Sequence, residues 1–132
     1  MAYKKHVISE NQTVKSALIM LDTLAYDAIL FTINNSGVLT GSVTDGDVRR
    51  GLVKGITIED PVKKVSYKSP RSFLIDNVDI NQLVEFREAK IGIVPIVDSQ
   101  NRIIDVINFR LRKSLLPIDV VIMAGGKGMR LR

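Results

Sequence analysis

Apolar positions at Val14, Ala17, Leu18, Leu21 and Leu24 recur every three or four residues behind Thr13, a good N-cap residue. This spacing predicts an amphipathic helix. Residues 28–33 follow as an almost continuous apolar run, which suits a buried strand. Asn34, Asn35, Ser36 and Gly37 are turn formers, because asparagine and glycine tolerate positive φ. Residues 38–43 return as a second strand, so the pair makes a hairpin. A short helix is expected over 44–53, stopping near Gly55.

The same order returns 64 residues later. At that offset 28–34 lies on 92–98, Val14 on Val78, Ala25 on Ala89 and Leu39 on Ile103. The second copy therefore reads as a helix over 78–88, a strand over 92–97, a turn at 98–101, a strand over 103–107 and a short helix over 109–116. Residues 56–73 carry Pro61 and Pro70 and read as a linker with short extended pieces. One copy holds two or three strands and two helices, too few to close a core alone. Two copies packed together about a pseudo-twofold axis are the expected stable unit. After Pro117 the repeat breaks: residues 118–123 form an apolar strand, and 124–132 are glycine-rich and basic. The expectation is an α/β chain with one repeat over 1–65, a second over 66–116, and a different segment from 117 to 132.

Composition narrows the chemistry. No cysteine occurs, which excludes disulfides and thiolate metal sites and suits a cytoplasmic protein. The single histidine, His6, leaves no imidazole cluster; it is expected at the surface of an N-terminal extension, without a role. Met20 and Met123 sit in apolar patterns and read as core filler. No apolar run approaches the ~20 residues of a membrane-spanning helix, and no membrane association is expected. The net charge of +5 arises in residues 110–132, where six basic side chains face Asp119 alone, so residues 1–109 are neutral. With 5% aromatic residues and no basic stripe over the repeats, nucleic acid is not an expected partner.

Gly41-Ser42-Val43-Thr44-Asp45-Gly46-Asp47-Val48-Arg49 is the most specific stretch of the first copy. Thr44 followed three residues on by Asp47 is a capping box, and capping alone accounts for both residues. A helix that opens after a strand also offers free amides and a positive dipole end to a phosphate. A carboxylate there can accept both hydroxyls of a ribose, and Arg49 or Arg50 can neutralise the phosphate. The residues by themselves favour the cap.

The duplicated unit and the Gly-x-Val-Thr-x-x-Asp stretch resemble a tandem pair of cystathionine β-synthase (CBS) domains, a Bateman module, over about residues 3–116. The resemblance implies that Thr44 and Asp47 hold the phosphate and ribose of an adenine nucleotide (AMP, ADP or ATP). It also makes Ile8 and Ala28 candidates for the apolar lining. It further implies association into a homodimer. In the second copy Asn108 replaces the threonine, Leu111 the aspartate and Asp105 the glycine. Leucine accepts no ribose hydroxyl, so one competent site per chain is expected.

Residues 121–131, with Ala124-Gly125-Gly126-Lys127-Gly128-Met129-Arg130-Leu131, resemble the first strand and loop of sugar-phosphate nucleotidyltransferases. Their glycines let backbone amides approach a nucleoside triphosphate, and a fixed guanidinium stabilises its phosphates. The resemblance assigns Gly125, Gly126 and Gly128 to that loop and Arg130 to phosphate binding; Met129 stands where threonine or serine is usual. A Rossmann loop fits worse, since Leu131 occupies the place of a third glycine, and no Walker loop is present. A lone apolar strand is a poor terminus. The chain is therefore expected to be a fragment of a nucleotidyltransferase that uses Mg²⁺, with a mannose-1-phosphate guanylyltransferase as the leading expectation. The fragment itself holds no catalytic residues and is expected to be inactive. The rival reading is a structural module that dimerises and binds nothing.

Overall fold

The computed structural model describes residues 2–25, 28–76, 81, 84, 85 and 92–108. The chain divides into two compact units, Met1–Pro70 and Arg71–Arg132. The expected helix over 109–116, the strand over 118–123, Met123 and the loop residues Gly125, Gly126, Gly128 and Arg130 lie outside the described residues. So does most of the helix expected over 78–88, of which Asn81, Val84 and Glu85 are helical.

In the first unit a 3₁₀ turn over Ala2–His6 leads into β1 (Val7–Ser9). Then come α1 (Val14–Leu24), β2 (Leu30–Ile33), β3 (Leu39–Val43) and α2 (Asp45–Val53). The Thr13 side chain accepts from the Ser16 amide, as an N-cap should. The apolar stripe of α1 turns inward: Val14, Ala17, Leu21 and Leu24 are buried and Leu18 and Met20 pack partly against them. Strand order is β1-β2-β3, with β1 parallel and β3 antiparallel to β2. Ile8, Leu30 and Val43 from the sheet and Val48 from α2 join this core.

The second unit repeats that sheet with β4 (Phe73–Leu74), β5 (Ile93–Val97) and β6 (Ile103–Asn108), again parallel then antiparallel. The two hairpins match residue for residue at the 64-residue offset. Leu30 pairs Val43 as Val94 pairs Ile107, and the register slips at Thr32/Ile33 as it does at Ile96/Val97. Their turns share a device. Asn34 Oδ1 accepts from the amides of Ser36 (2.9 Å) and Val38 (3.0 Å). Asp98 Oδ1 accepts from Gln100 and Arg102 at 2.9 Å each. Both loops close through a left-handed residue, Gly37 at φ 83° and Asn101 at φ 64°, an asparagine being one of the few side chains that tolerate that conformation. The offset becomes 65 at the first strand, where Ile8 pairs Thr32 and Phe73 pairs Ile96. The two sheets thus have one topology.

Three expectations need correction. His6 is not at the surface. It is 2% exposed, and its Nδ1 lies 2.9 Å from the Ile29 carbonyl, which can only accept, so that ring nitrogen donates. The turn that opens the chain folds its ring inward instead of extending into solvent. The expected strand over 28–33 starts at Leu30, leaving Ala28 and Ile29 before it. The linker expected over 56–73 has its short extended pieces, bridging at Pro61 and Tyr67, but over 56–68 it is a strap along the first unit. Val62 and Val65 are buried in the core. The carbonyls of Asp60 and Ile58 accept from the Val14 and Lys15 amides at 2.9 Å, and Ser42 and Tyr67 exchange two backbone bonds of 2.9 and 2.7 Å. Pro61 and Pro70 suggested an irregular segment; two valines three apart were the quieter signal of burial.

The turn chemistry makes acid stability predictable. Asp98 is held below the usual carboxylate range, chiefly by the Arg102 amide and then by the Gln100 amide and the Arg102 guanidinium. Asp60 is lowered chiefly by the Thr57 amide, with Lys64 adding to it. A depressed folded-state pKa contributes stability that is present above the unfolded value of about 3.9 and is lost as pH falls through the folded value. The fold is therefore expected to weaken from about pH 4 downward. Asp98→Asn keeps the amide acceptor, as Asn34 does in the first unit, and removes that carboxylate's share of the acid loss. Melting temperatures at pH 7, 4 and 3 check this; an unchanged pH slope in the variant would contradict it.

Candidate functional site

Strand β3 hands the chain to α2 at Thr44, whose extended backbone (φ −122°, ψ 173°) makes it the N-cap. The Thr44 hydroxyl accepts from the Asp47 amide at 3.3 Å. In return Asp47 Oδ2 accepts from the Thr44 amide at 2.9 Å and from the Thr44 hydroxyl at 3.1 Å. The capping box read from the sequence is complete. The other carboxylate oxygen, Oδ1, meets Arg50 Nη2 at 2.7 Å. A Cβ placed on Gly46 would lie 3.3 Å from Arg50 Nη1, so the guanidinium folds back over the first turn, beside a residue with no side chain.

The two helix starts in this unit differ. At α1 the amides of Val14, Lys15 and Ser16 are taken by Asp60, Ile58 and Thr13. At α2 the cap satisfies Asp47, but among the described residues the amides of Asp45 and Gly46 meet no protein acceptor. Two donors and the positive end of the helix dipole are thus left uncommitted at α2, beside a carboxylate and an arginine. Such a set suits a ligand carrying both hydroxyls and an anion.

Ile8 (5% exposed) is a central β1 residue, and the half-buried Ala28 packs against the same core that holds Val48 of α2. The structure places Thr44 and Asp47 in direct contact; Ile8 and Ala28 belong to the apolar core and, among the described residues, have no hydrogen bond to the pair. In the second unit Asn108 closes β6 opposite Ile93, and Leu111 lies outside the described residues. Sequence reasoning missed an open groove of about 500 Å³, lined by Lys15, Leu18, Ile19, Asp22 and Thr23 of α1 and Asp45 of α2. It missed the ion pair of Arg50 with Asp47 as well, for which the only signal was their i,i+3 spacing beside Gly46. No group of three or more metal-ligating side chains occurs among the described residues. Nor does any described helix have the length and apolar character to cross a membrane.

Solved structures share this architecture. The CBS domains of a transcriptional regulator from Streptococcus pneumoniae match with a TM-score of 0.64 at 21% identity, over 80% of this chain and 85% of that one. A CBS domain protein from Pyrobaculum aerophilum, solved in complex with AMP, matches with a TM-score of 0.62 at 15% identity, over 89% and 90% of the two chains. The fold is that of CBS domains. Within the CBS fold, the common sheet topology and register of the two units make the chain a repeat. No family model matches the sequence. An uncharacterized protein of Helicobacter pylori strain J99 is 35% identical over 104 residues, 77% of this chain and 31% of that protein. The chain thus spans about a third of the length of the curated relatives it matches.

Proposed function

We propose that the chain is a regulatory module that binds one adenine nucleotide at the start of α2. Thr44 and the free amides of Asp45 and Gly46 face the phosphate, and Asp47 accepts from the ribose. The observation that carries this reading is the contrast between the two helix starts: α1 is fully capped by protein, whereas α2 keeps two amides without a partner among the described residues, beside Asp47 and Arg50. The AMP complex of the P. aerophilum CBS protein shows that a chain of this fold binds such a ligand. Calorimetric titration with AMP, ADP and ATP tests it. About one nucleotide per chain and a melting temperature that climbs with ligand concentration are expected, because only a binder is stabilised in proportion to ligand over Kd.

One observation favours the rival, a structural module that only dimerises: the capping box is complete without any ligand. Absence of heat and of thermal stabilisation with all three nucleotides decides for the rival.

We further propose that the module precedes a sugar-1-phosphate nucleotidyltransferase domain in a longer cytoplasmic protein. That domain would transfer a nucleotidyl group from a nucleoside triphosphate to a sugar 1-phosphate such as mannose 1-phosphate, releasing pyrophosphate, with Mg²⁺ as cofactor. The Ala-Gly-Gly-x-Gly-x-Arg-Leu order of residues 124–131 supports this reading, as do relatives about three times as long as the match. The longer protein should release pyrophosphate from GTP and mannose 1-phosphate, and this chain alone should not.

A further inference from the structure

The carboxylate that the pair offers to a ligand is already engaged on both oxygens. Oδ2 of Asp47 accepts from the Thr44 amide and hydroxyl, and Oδ1 accepts from Arg50 Nη2 at 2.7 Å. The two ends of that ion pair are unlike. The Asp47 side chain is 15% exposed and fixed by three bonds, whereas the Arg50 side chain is 68% exposed and held by the pair alone. Arg49, its neighbour in sequence, is exposed and forms no ion pair among the described residues.

We propose that Arg50 determines the ligand class of this site. It acts as the exchangeable counter-ion of Asp47 and makes the site select nucleoside phosphates over uncharged nucleosides. The inference rests on the nucleotide-binding reading above. A ribose hydroxyl that approaches Oδ1 competes with an ion pair in which donor and acceptor are both charged, whereas the hydroxyl is a neutral donor to the same carboxylate. A nucleoside has nothing to offer the displaced guanidinium. A nucleotide brings a phosphate whose oxygens match the guanidinium fork, so Arg50 passes from Asp47 to the phosphate and Oδ1 is released to the hydroxyl. The exchange needs little motion, because Arg50 already lies over Gly46, whose amide is one of the two free donors. No covalent step is involved.

Calorimetric titration of the 132-residue chain with adenosine and with AMP, in phosphate-free buffer at low ionic strength, tests this. In Arg50→Gln the preference for AMP over adenosine should shrink about tenfold, the value of one charge-assisted bond. Adenosine should bind that variant at least as well as it binds the original, since its competitor for Oδ1 has gone. Arg50→Lys, a point charge without the fork, should fall between the two, and Lys54→Gln, at the far end of α2, should leave the preference unchanged. An unchanged preference in Arg50→Gln overturns the proposal. So does an equal loss of AMP and adenosine binding, which would make Arg50 a structural support. If the original chain binds neither compound, the nucleotide site itself is refuted, and the selectivity with it.

Discussion

Replacing Asp47 with asparagine is expected to weaken adenine-nucleotide binding by about tenfold or more while leaving the fold in place. The carboxylate is the acceptor proposed for the ribose, and losing hydrogen bonds to a charged acceptor costs about 1.5–3 kcal/mol. Asparagine keeps the shape and one acceptor oxygen, so the reciprocal bond with the Thr44 amide survives in part. Stability of the free chain should fall by about 1 kcal/mol or less, as for a weakened cap. The two measurements separate two roles of one side chain. Titration reads the ligand, and thermal denaturation without ligand reads the cap. Equal nucleotide affinity in both proteins, with only the melting temperature lowered, would reduce Asp47 to a helix cap.

A second large effect is expected at Gly41, for a reason unconnected with backbone freedom. A Cβ there would lie 2.8 Å from the Tyr67 carbonyl oxygen and 2.9 Å from Ser66 Oγ. The first of these is backbone, so it yields only if the strap moves away from β3. That movement loosens the two bonds between Ser42 and Tyr67. Overpacking of this kind costs about 1–3 kcal/mol. Gly41→Ala should therefore lower the melting temperature by several degrees, on the order of 5 °C. The same substitution at Gly37, where a Cβ meets nothing within 4 Å, carries only the strain of its positive φ. Faster exchange of the Ser42 and Tyr67 amides in Gly41→Ala, with α1 amides protected as before, would place the damage at the strap. A melting temperature unaffected by Gly41→Ala would show that the strap does not need this close approach.

The parts of the fold that could be read in advance are those with a period or a fixed spacing. Helix α1 announces itself by Val14, Ala17, Leu21 and Leu24, the hairpins by apolar runs around Asn34–Gly37 and 98–101, and the cap of α2 by Thr44 and Asp47 three apart. The register match between the hairpins follows from the 64-residue repeat itself. Strands β1 and β4 hold three and two residues, too short for any alternation to show. Their place is fixed only by pairing with β2 and β5 across the sheets. The inward fold of His6 depends on the Ile29 carbonyl 23 residues away, and the strap depends on Gly41 and the α1 amides. Contacts of that range leave no local trace. For the site, Thr44 and Asp47 were legible as a pair, but the free amides of α2 acquire meaning only beside the capped amides of α1.

The strap also sets an order of events during synthesis. Every named strand and both α-helices of the first unit lie before Lys54, yet Val62, Val65 and Tyr67, which close its core and the edge of β3, are made afterwards. At ribosomal rates of about 5–20 residues per second, the stretch from Val53 to Tyr67 takes on the order of a second. For that interval the nascent first repeat has its sheet and α-helices encoded but lacks the acceptors for Val14 and Lys15 and the cover over Gly51, whose absent side chain leaves room for Val65. A ribosome stalled just after the codon for Gly55 would hold an unfinished unit, and one stalled far enough downstream for Tyr67 to clear the exit tunnel would hold a closed one.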